Sequence, residues 1–144
     1  SSAFLALKIM SGNFPVLIKE ANGNMITVGD ITYVSNFYRE LFKQEVKLSI
    51  DKIKAQYKPE KIFIFGSYAS GKISADSDID FFIIKRTTKV RRERQREVSR
   101  ILIDRQVPVD ILVFTPAETA KRKRIGDPFI LNILNSGKLV YAKE

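Results

Sequence analysis

The chain has 144 residues, with 25 Lys and Arg against 16 Asp and Glu, a formal net charge of +9 and a pI near 9.8. Its 44% apolar and 28% charged residues match a folded globular protein, which excludes a wholly disordered or fibrous chain, and one domain is expected at this length. Cys and His are both absent, so disulfides, thiolate nucleophiles, imidazole bases, Ser–His triads and Cys- or His-ligated zinc are excluded.

In chain order, the apolar run at residues 3–7 is too short, and lacks a leading basic region, to be a signal peptide. No apolar run approaches the length of a membrane span. The expectation is therefore no membrane partner and a cytoplasmic location. Residues 14–20 and 25–28 flank Ala21-Asn22-Gly23-Asn24, and Asn-Gly between β-type runs predicts a hairpin. From residue 33 or 35 to about 57 the apolar residues Val34, Phe37, Tyr38, Leu41, Phe42, Val46, Ile50 and Ile53 fall at helical spacing, and Pro59 closes the helix.

Residues 61–65 (KIFIF) predict a short buried strand that runs straight into Gly66-Ser67 and a turn or short helix. After a polar loop, residues 79–84 (IDFFII) predict a second buried strand. Residues 89–106 read as a helix whose apolar residues crowd its second half, so its arginine-rich first half is expected to project past the core. Residues 107–114 (VPVDILVF) give a third strand. Thr115-Pro116-Ala117-Glu118 is a capping box with Pro at the first helical position, and Asp127-Pro128 opens another helix that Asn135-Ser136-Gly137 ends. Residues 138–141 suggest a final edge strand. The order after the hairpin is α-β-α-β-α-β-α-α, a two-layer α/β pattern. The spacer between the strands carrying Asp80 and Asp110 has room for a helical crossover, which makes those strands parallel neighbours.

Three aspartates stand where apolar residues are expected. Asp78 and Asp80 are two apart at the entry to an apolar strand, so strand periodicity points both to one face. Asp110 lies near the start of the next apolar strand, between Val109 and Ile111. A carboxylate buried without a partner at either place is costly, and three carboxylates together need a cation. With no His or Cys, the ligands are oxygens, which suit one or two Mg²⁺ ions, or Mn²⁺. Two ions about 4 Å apart are the usual clamp for in-line displacement at phosphorus. Gly66-Ser67, at the junction of a strand and a short helix, offers free backbone N–H groups and a hydroxyl as a phosphate cradle. The two halves together imply a metal-bound nucleoside triphosphate.

Phe65-Gly66-Ser67-Tyr68-Ala69-Ser70-Gly71 followed by Asp76-Ser77-Asp78-Ile79-Asp80 resembles the signature of the minimal nucleotidyltransferases of the DNA polymerase beta-like superfamily. The resemblance covers about residues 45–142, with Asp110 as the third acidic position. It implies an α/β (α+β) nucleotidyltransferase fold, a small mixed sheet backed by helices. The domain would occupy residues 35–144, preceded by a hairpin-bearing extension over residues 1–34. It further implies Mg²⁺-dependent transfer of a nucleoside monophosphate, AMP from ATP, to a hydroxyl with release of pyrophosphate. Asp78 and Asp80 then bind metal, and Asp110 binds metal and activates the acceptor hydroxyl. Gly66 and Ser67 bind the triphosphate. Related proteins often carry Arg or Lys where this chain has Ser70, and Lys72 is the candidate to supply that charge.

The charge is unevenly placed. Residues 1–84 carry 10 basic and 9 acidic side chains, residues 85–124 carry 13 and 5 with nine of the ten Arg, and residues 125–144 carry two of each. The basic run from Lys85 through Arg100 and the cluster Lys121, Arg122, Lys123 and Arg124 read as a docking face for an acidic partner or RNA, against a plain solvated helix as the alternative. No aromatics interleave with it, so single-strand stacking is not expected. Minimal nucleotidyltransferases resembling this one often pair with a small helical HEPN protein in toxin–antitoxin systems, where they add AMP to a tyrosine of the partner. A small-molecule transferase of the aminoglycoside-modifying kind, and a non-catalytic RNA- or protein-binding module on the same fold, are the alternatives.

Overall fold

The computed structural model of the protein describes residues 16–19, 25–28, 31–74 and 76–144. The apolar run at 3–7 and the Asn22-Gly23 turn lie outside the described residues. The expected hairpin strands are present: β1 (Val16–Lys19) and β2 (Met25–Val28) pair antiparallel, Val16 opposite Val28 and Lys19 opposite Met25.

Helix α1 (Ile31–Gln56) buries Tyr38, Phe42, Val46, Ser49 and Ile53, a stripe at steps of three and four residues that continues to Tyr57 beyond its end. It ends as Lys58 turns left-handed (φ 54°) ahead of Pro59, and the amides of Tyr57 and Lys58 both donate to the Ile53 carbonyl. Then follow β3 (Lys61–Phe65), the four-residue α2 (Ser67–Ser70), β4 (Ile79–Ile84) and α3 (Arg91–Ile101). The chain finishes with β5 (Val109–Phe114), α4 (Pro116–Arg124), α5 (Pro128–Ser136) and β6 (Lys138–Ala142).

The four strands from β3 onward form one mixed sheet in the order β5-β4-β3-β6. The expected parallel pair is β4–β5, joined by α3 as the crossover, while β3 runs antiparallel to both of its neighbours. This is the expected small mixed sheet backed by helices. Alternation along β4 splits its side chains between two cores. Ile79, Phe81 and Ile83 join Phe42 and Ile53 of α1 and Val98 of α3 on one face, while Phe82 and Ile84 meet Ile130 and Ile133 of α5 on the other. With both faces covered, β4 is apolar without a break from Phe81 to Ile84, and truncating its fully buried Phe82 to Ala is expected to cost about 3–5 kcal/mol.

Both predicted helix starts are built as expected. Thr115 accepts from the Glu118 amide at 3.1 Å while the Glu118 carboxylate accepts from the Thr115 amide at 2.7 Å, and Asp127 caps α5. Gly137 ends α5 in an extended conformation (φ −73°). Its role is close approach: a Cβ there would lie 3.2 Å from the Ile64 carbonyl and would overlap that of Ile133.

One expectation is overturned. The first half of α3 does not project past the core: Arg94 is 6% exposed. Its guanidinium donates to Glu118 at 2.7 Å, to the Val113 carbonyl at 3.2 Å and to the Lys89 carbonyl at 2.7 Å. Gln95 donates to the Ile111 carbonyl, and Arg91 stacks over the Phe114 ring at 4.3 Å. An arginine with its acid and carbonyl partners does here what an apolar stripe does elsewhere.

Candidate active site

The sheet sets the site through its register. In the parallel pair Asp80 lies directly beside Asp110, and in the antiparallel pair it lies opposite Phe65. Side chains in register on neighbouring strands share a face, with strands about 4.8 Å apart, so Phe65, Asp80 and Asp110 form a row across three strands. Asp78 precedes β4 by one residue, and the fully buried Ile79 between the two acids turns to the opposite face. The start of β4 is tied to that of β5 by the Ile79 amide, which donates to the Pro108 carbonyl at 2.9 Å. The loop into Asp78 is fixed by Ser77, whose hydroxyl accepts from the Ser74 amide at 2.8 Å.

Asp80 is the electrostatic centre of the row. Its carboxyl is pushed up to about 6, first by burial, then by the charges of Asp78 and Asp110 and a hydrogen bond shared with Asp78. Among the described residues it has no cationic partner. Gly66 closes this arrangement from β3. It sits at φ 73°, and a Cβ at that position would overlap the Asp80 Oδ2 atom. The backbone of the Gly66-Ser67 turn and the Asp80 carboxylate are therefore in contact, which no other residue at 66 permits. Beyond it, Ser70 and Lys72 donate their amides back to the Gly66 and Ser67 carbonyls at 3.0 and 3.1 Å, closing α2 as a compact turn. The amides at the front of such a turn have no partner within it.

The structure thus brings Asp78, Asp80, Asp110, Gly66 and Ser67 to one end of the sheet. Lys72 follows the left-handed Gly71, is exposed, and its side chain engages none of them. Asp110 is exposed too, so the burial cost expected of it from its apolar neighbours does not arise: only its backbone sits among them. The all-oxygen donor set and the mutual repulsion at Asp80 suit a hard divalent cation. Among the described residues, however, no three carboxylates converge into a group shaped to hold a metal. The donors fit in chemistry and sheet position, and an ion would have to draw Asp110 in.

Sequence reading missed two aromatic neighbours. Phe65, opposite Asp80, meets Phe129 of α5 edge-to-face with centroids 5.9 Å apart. Phe65 stands directly before Gly66 in the sequence, whereas Phe129 carries no local signal, because a helix far along the chain supplies it.

A fold of this topology with acidic residues in register at the ends of its parallel pair defines a nucleotidyltransferase-like protein. The comparison with known families agrees: the family described as polymerase beta, nucleotidyltransferase, matches residues 47–144, and the chain belongs to it. No curated protein matches the chain. Among solved structures, a Sulfolobus solfataricus protein assigned as a nucleotidyltransferase superposes with a TM-score of 0.52 at 20% identity, covering 74% of this chain and 87% of its own. A toxin–antitoxin structure with AMP-PNP (TM-score 0.49) and a mutant of the toxin–antitoxin MntA–HpeT (0.48) are similar at 20% identity, each over 69% of this chain and 74% of theirs. At these identities the likeness concerns the fold.

Proposed function

We propose that the protein is a Mg²⁺-dependent nucleotidyltransferase that moves AMP from ATP to the hydroxyl of a partner protein, a tyrosine of a small helical HEPN-type toxin, and so acts as an antitoxin. The observation that carries the transferase reading is the in-register pair Asp80–Asp110 with Gly66 packed against Asp80. The family membership gives the reaction class; the acceptor rests on the signature spanning Phe65 to Asp80.

In this reading Asp78, Asp80 and Asp110 hold one or two Mg²⁺ ions, with Mn²⁺ as a substitute. The bound metal supplies charge neutralisation of the triphosphate and of the displacement at phosphorus. Gly66 and Ser67 would hold the triphosphate through backbone amides, and Lys72 is the residue that would add positive charge. Asp110, exposed at the edge strand, accepts the proton of the acceptor hydroxyl. The new bond joins the acceptor oxygen to the α-phosphorus, the bond to the bridging oxygen breaks, and pyrophosphate leaves.

The partner's docking surface is the outer face of α3. Arg92, Arg96 and Arg100 follow one another at steps of four residues and line, with Arg105, a groove of about 430 Å³ that contains no acidic side chain. None of the first three has an ion pair or hydrogen bond from its side chain among the described residues. Like charges at such spacing weaken a helix, and an acidic partner surface would relieve them. The same groove favours a second reading, an RNA-binding module, in which affinity falls steeply with salt and needs no Mg²⁺. No described helix is long and apolar enough to cross a membrane, and we place the protein with its partner in the cytoplasm. We also keep the division into an extension over residues 1–34 and a transferase domain over 35–144, with α1 continuous across it.

Incubation with ATP labelled at the α-phosphate, Mg²⁺ and lysate of the source cells tests this reading. One small protein takes up label, and Asp80→Asn abolishes it. Label on RNA or on a small molecule, as an aminoglycoside-type enzyme would give, contradicts the protein acceptor. Transfer undiminished in Asp80→Asn contradicts the active site.

A further inference from the structure

Among residues whose side chains are described, Phe129 is the aromatic side chain that stands out in solvent, with 52% of its surface exposed. It is not loosely held. It occupies the first turn of α5 after Pro128, and the Asp127 carboxylate accepts from its amide at 3.0 Å and from that of Ile130 at 3.4 Å. The same helix does its burying with Ile130 and Ile133, each 1% exposed. Phe129 meets Phe65 edge-to-face at a centroid distance of 5.9 Å, and about half of its surface faces water.

The position of that contact gives the ring its meaning. Phe65 directly precedes Gly66 and lies opposite Asp80, so its side chain is on the carboxylate face of the sheet. The row across this face runs Phe129, Phe65, Asp80, Asp110. A nucleoside triphosphate with its phosphates at Gly66, Ser67 and the carboxylates carries a ribose and a flat base beyond them, and a rigidly mounted, half-exposed ring adjoins that end of the sheet.

We infer that Phe129 is the stacking platform for the nucleobase of the bound nucleotide, an inference that rests on the transferase reading for the identity of the ligand. Stacking uses the π-face of the base and reads no base edge, so the platform selects for ring area. ATP and GTP bind alike, and both bind more tightly than CTP or UTP. Phe129 thereby sets the nucleotide class that enters the site while leaving the choice between adenine and guanine open.

Binding measured by calorimetry on the full chain tests this, with ATP, CTP and inorganic tripolyphosphate as probes in the presence of Mg²⁺. Wild type binds ATP about tenfold more tightly than tripolyphosphate, within the range expected of one base–aromatic stack. Phe129→Ala removes that difference and leaves tripolyphosphate binding unchanged; Phe129→Trp retains it. The exposure of the ring predicts that both variants fold and melt like wild type. The inference is overturned if Phe129→Ala binds ATP as wild type does, or loses ATP and tripolyphosphate affinity in parallel. ATP binding with the expected platform effect but no transfer of label would contradict the proposed function alone. Binding of neither probe by wild type would contradict both.

Discussion

The two ends of the β4–β5 pair treat charge in opposite ways. At one end Asp80 faces Asp78 and Asp110 with no cationic partner among the described residues, and its carboxyl rises to about 6. At the other end Glu118 meets Arg94 at 2.7 Å and the Thr115 amide at 2.7 Å. Burial acts to raise the Glu118 carboxyl too, but the Thr115 and Arg94 contacts outweigh it and hold it below the usual range. Burial acts to raise both carboxyls, and their partners set the opposite signs: acids beside Asp80, an arginine and a backbone amide beside Glu118. Charge that the chain neutralises for itself holds the fold together. Charge left unbalanced at the rigid strand end is what the proposed metal site would draw on.

The largest effects separate the two ends by function. Asp80→Asn and Asp110→Asn are each expected to lower nucleotidyl transfer about a thousandfold, measured with α-labelled ATP, without unfolding the protein. Arg94→Met does the converse. It leaves Glu118 without its principal cation and orphans the Val113 and Lys89 carbonyls, costing about 3 kcal/mol and lowering the midpoint of thermal unfolding by about 10 °C. Transfer per folded molecule is retained. Equal damage to stability from Asp80→Asn and Arg94→Met would erase the contrast.

Gly66→Ala tests whether the glycine serves the carboxylate. The added methyl must displace the Asp80 carboxylate and tolerate φ 73°, a strain of about 2 kcal/mol visible in thermal unfolding, and transfer falls with it. The pH dependence is smaller and has opposite sign at the two ends. Asp80 titrates higher in the folded protein than in the unfolded chain, where its value is 3.8. The metal-free protein therefore loses stability as pH rises from about 4 to 6. Partial exposure limits the loss to about 1 kcal/mol. Glu118 titrates lower when folded, so its contribution is present above its ordinary value of 4.5 and is lost as pH falls below it. Thermal unfolding from pH 3 to 8 in the absence of divalent ions, with Asp80→Asn and Glu118→Gln as controls, resolves the two limbs.

The carboxylate end was largely legible in the chain because its signals are local. Acids two apart at the mouth of an apolar strand can point only to one face, and a glycine between a strand and a short helix announces a close approach. The spacer after Asp80 was long enough for a crossover and so predicted the parallel pair; the register that sets Asp80 beside Asp110 is a finding of the structure. The Arg94 end was half legible. Thr115 and Glu118 declared a capping box, but the second partner of Glu118 lies 24 residues upstream. Arg94 could not be told from its basic neighbours, because nothing in a run of like residues says which one turns inward. Asp110 was misjudged for a related reason: apolar neighbours on an edge strand do not bury a side chain at the strand's open end. The contact of Phe129 with Phe65 depends on how α5 crosses the sheet, which no local pattern encodes.

On the proposed function, a divalent cation held with Asp78 and Asp110 relieves the repulsion at Asp80. Thermal unfolding at pH 7.5 with increasing Mg²⁺, for wild type and for Asp80→Asn, tests it directly. Mg²⁺ is expected to raise the wild-type midpoint in a saturable manner and to leave that of Asp80→Asn, already above metal-free wild type, unmoved. Identical responses of the two proteins to Mg²⁺ would contradict it.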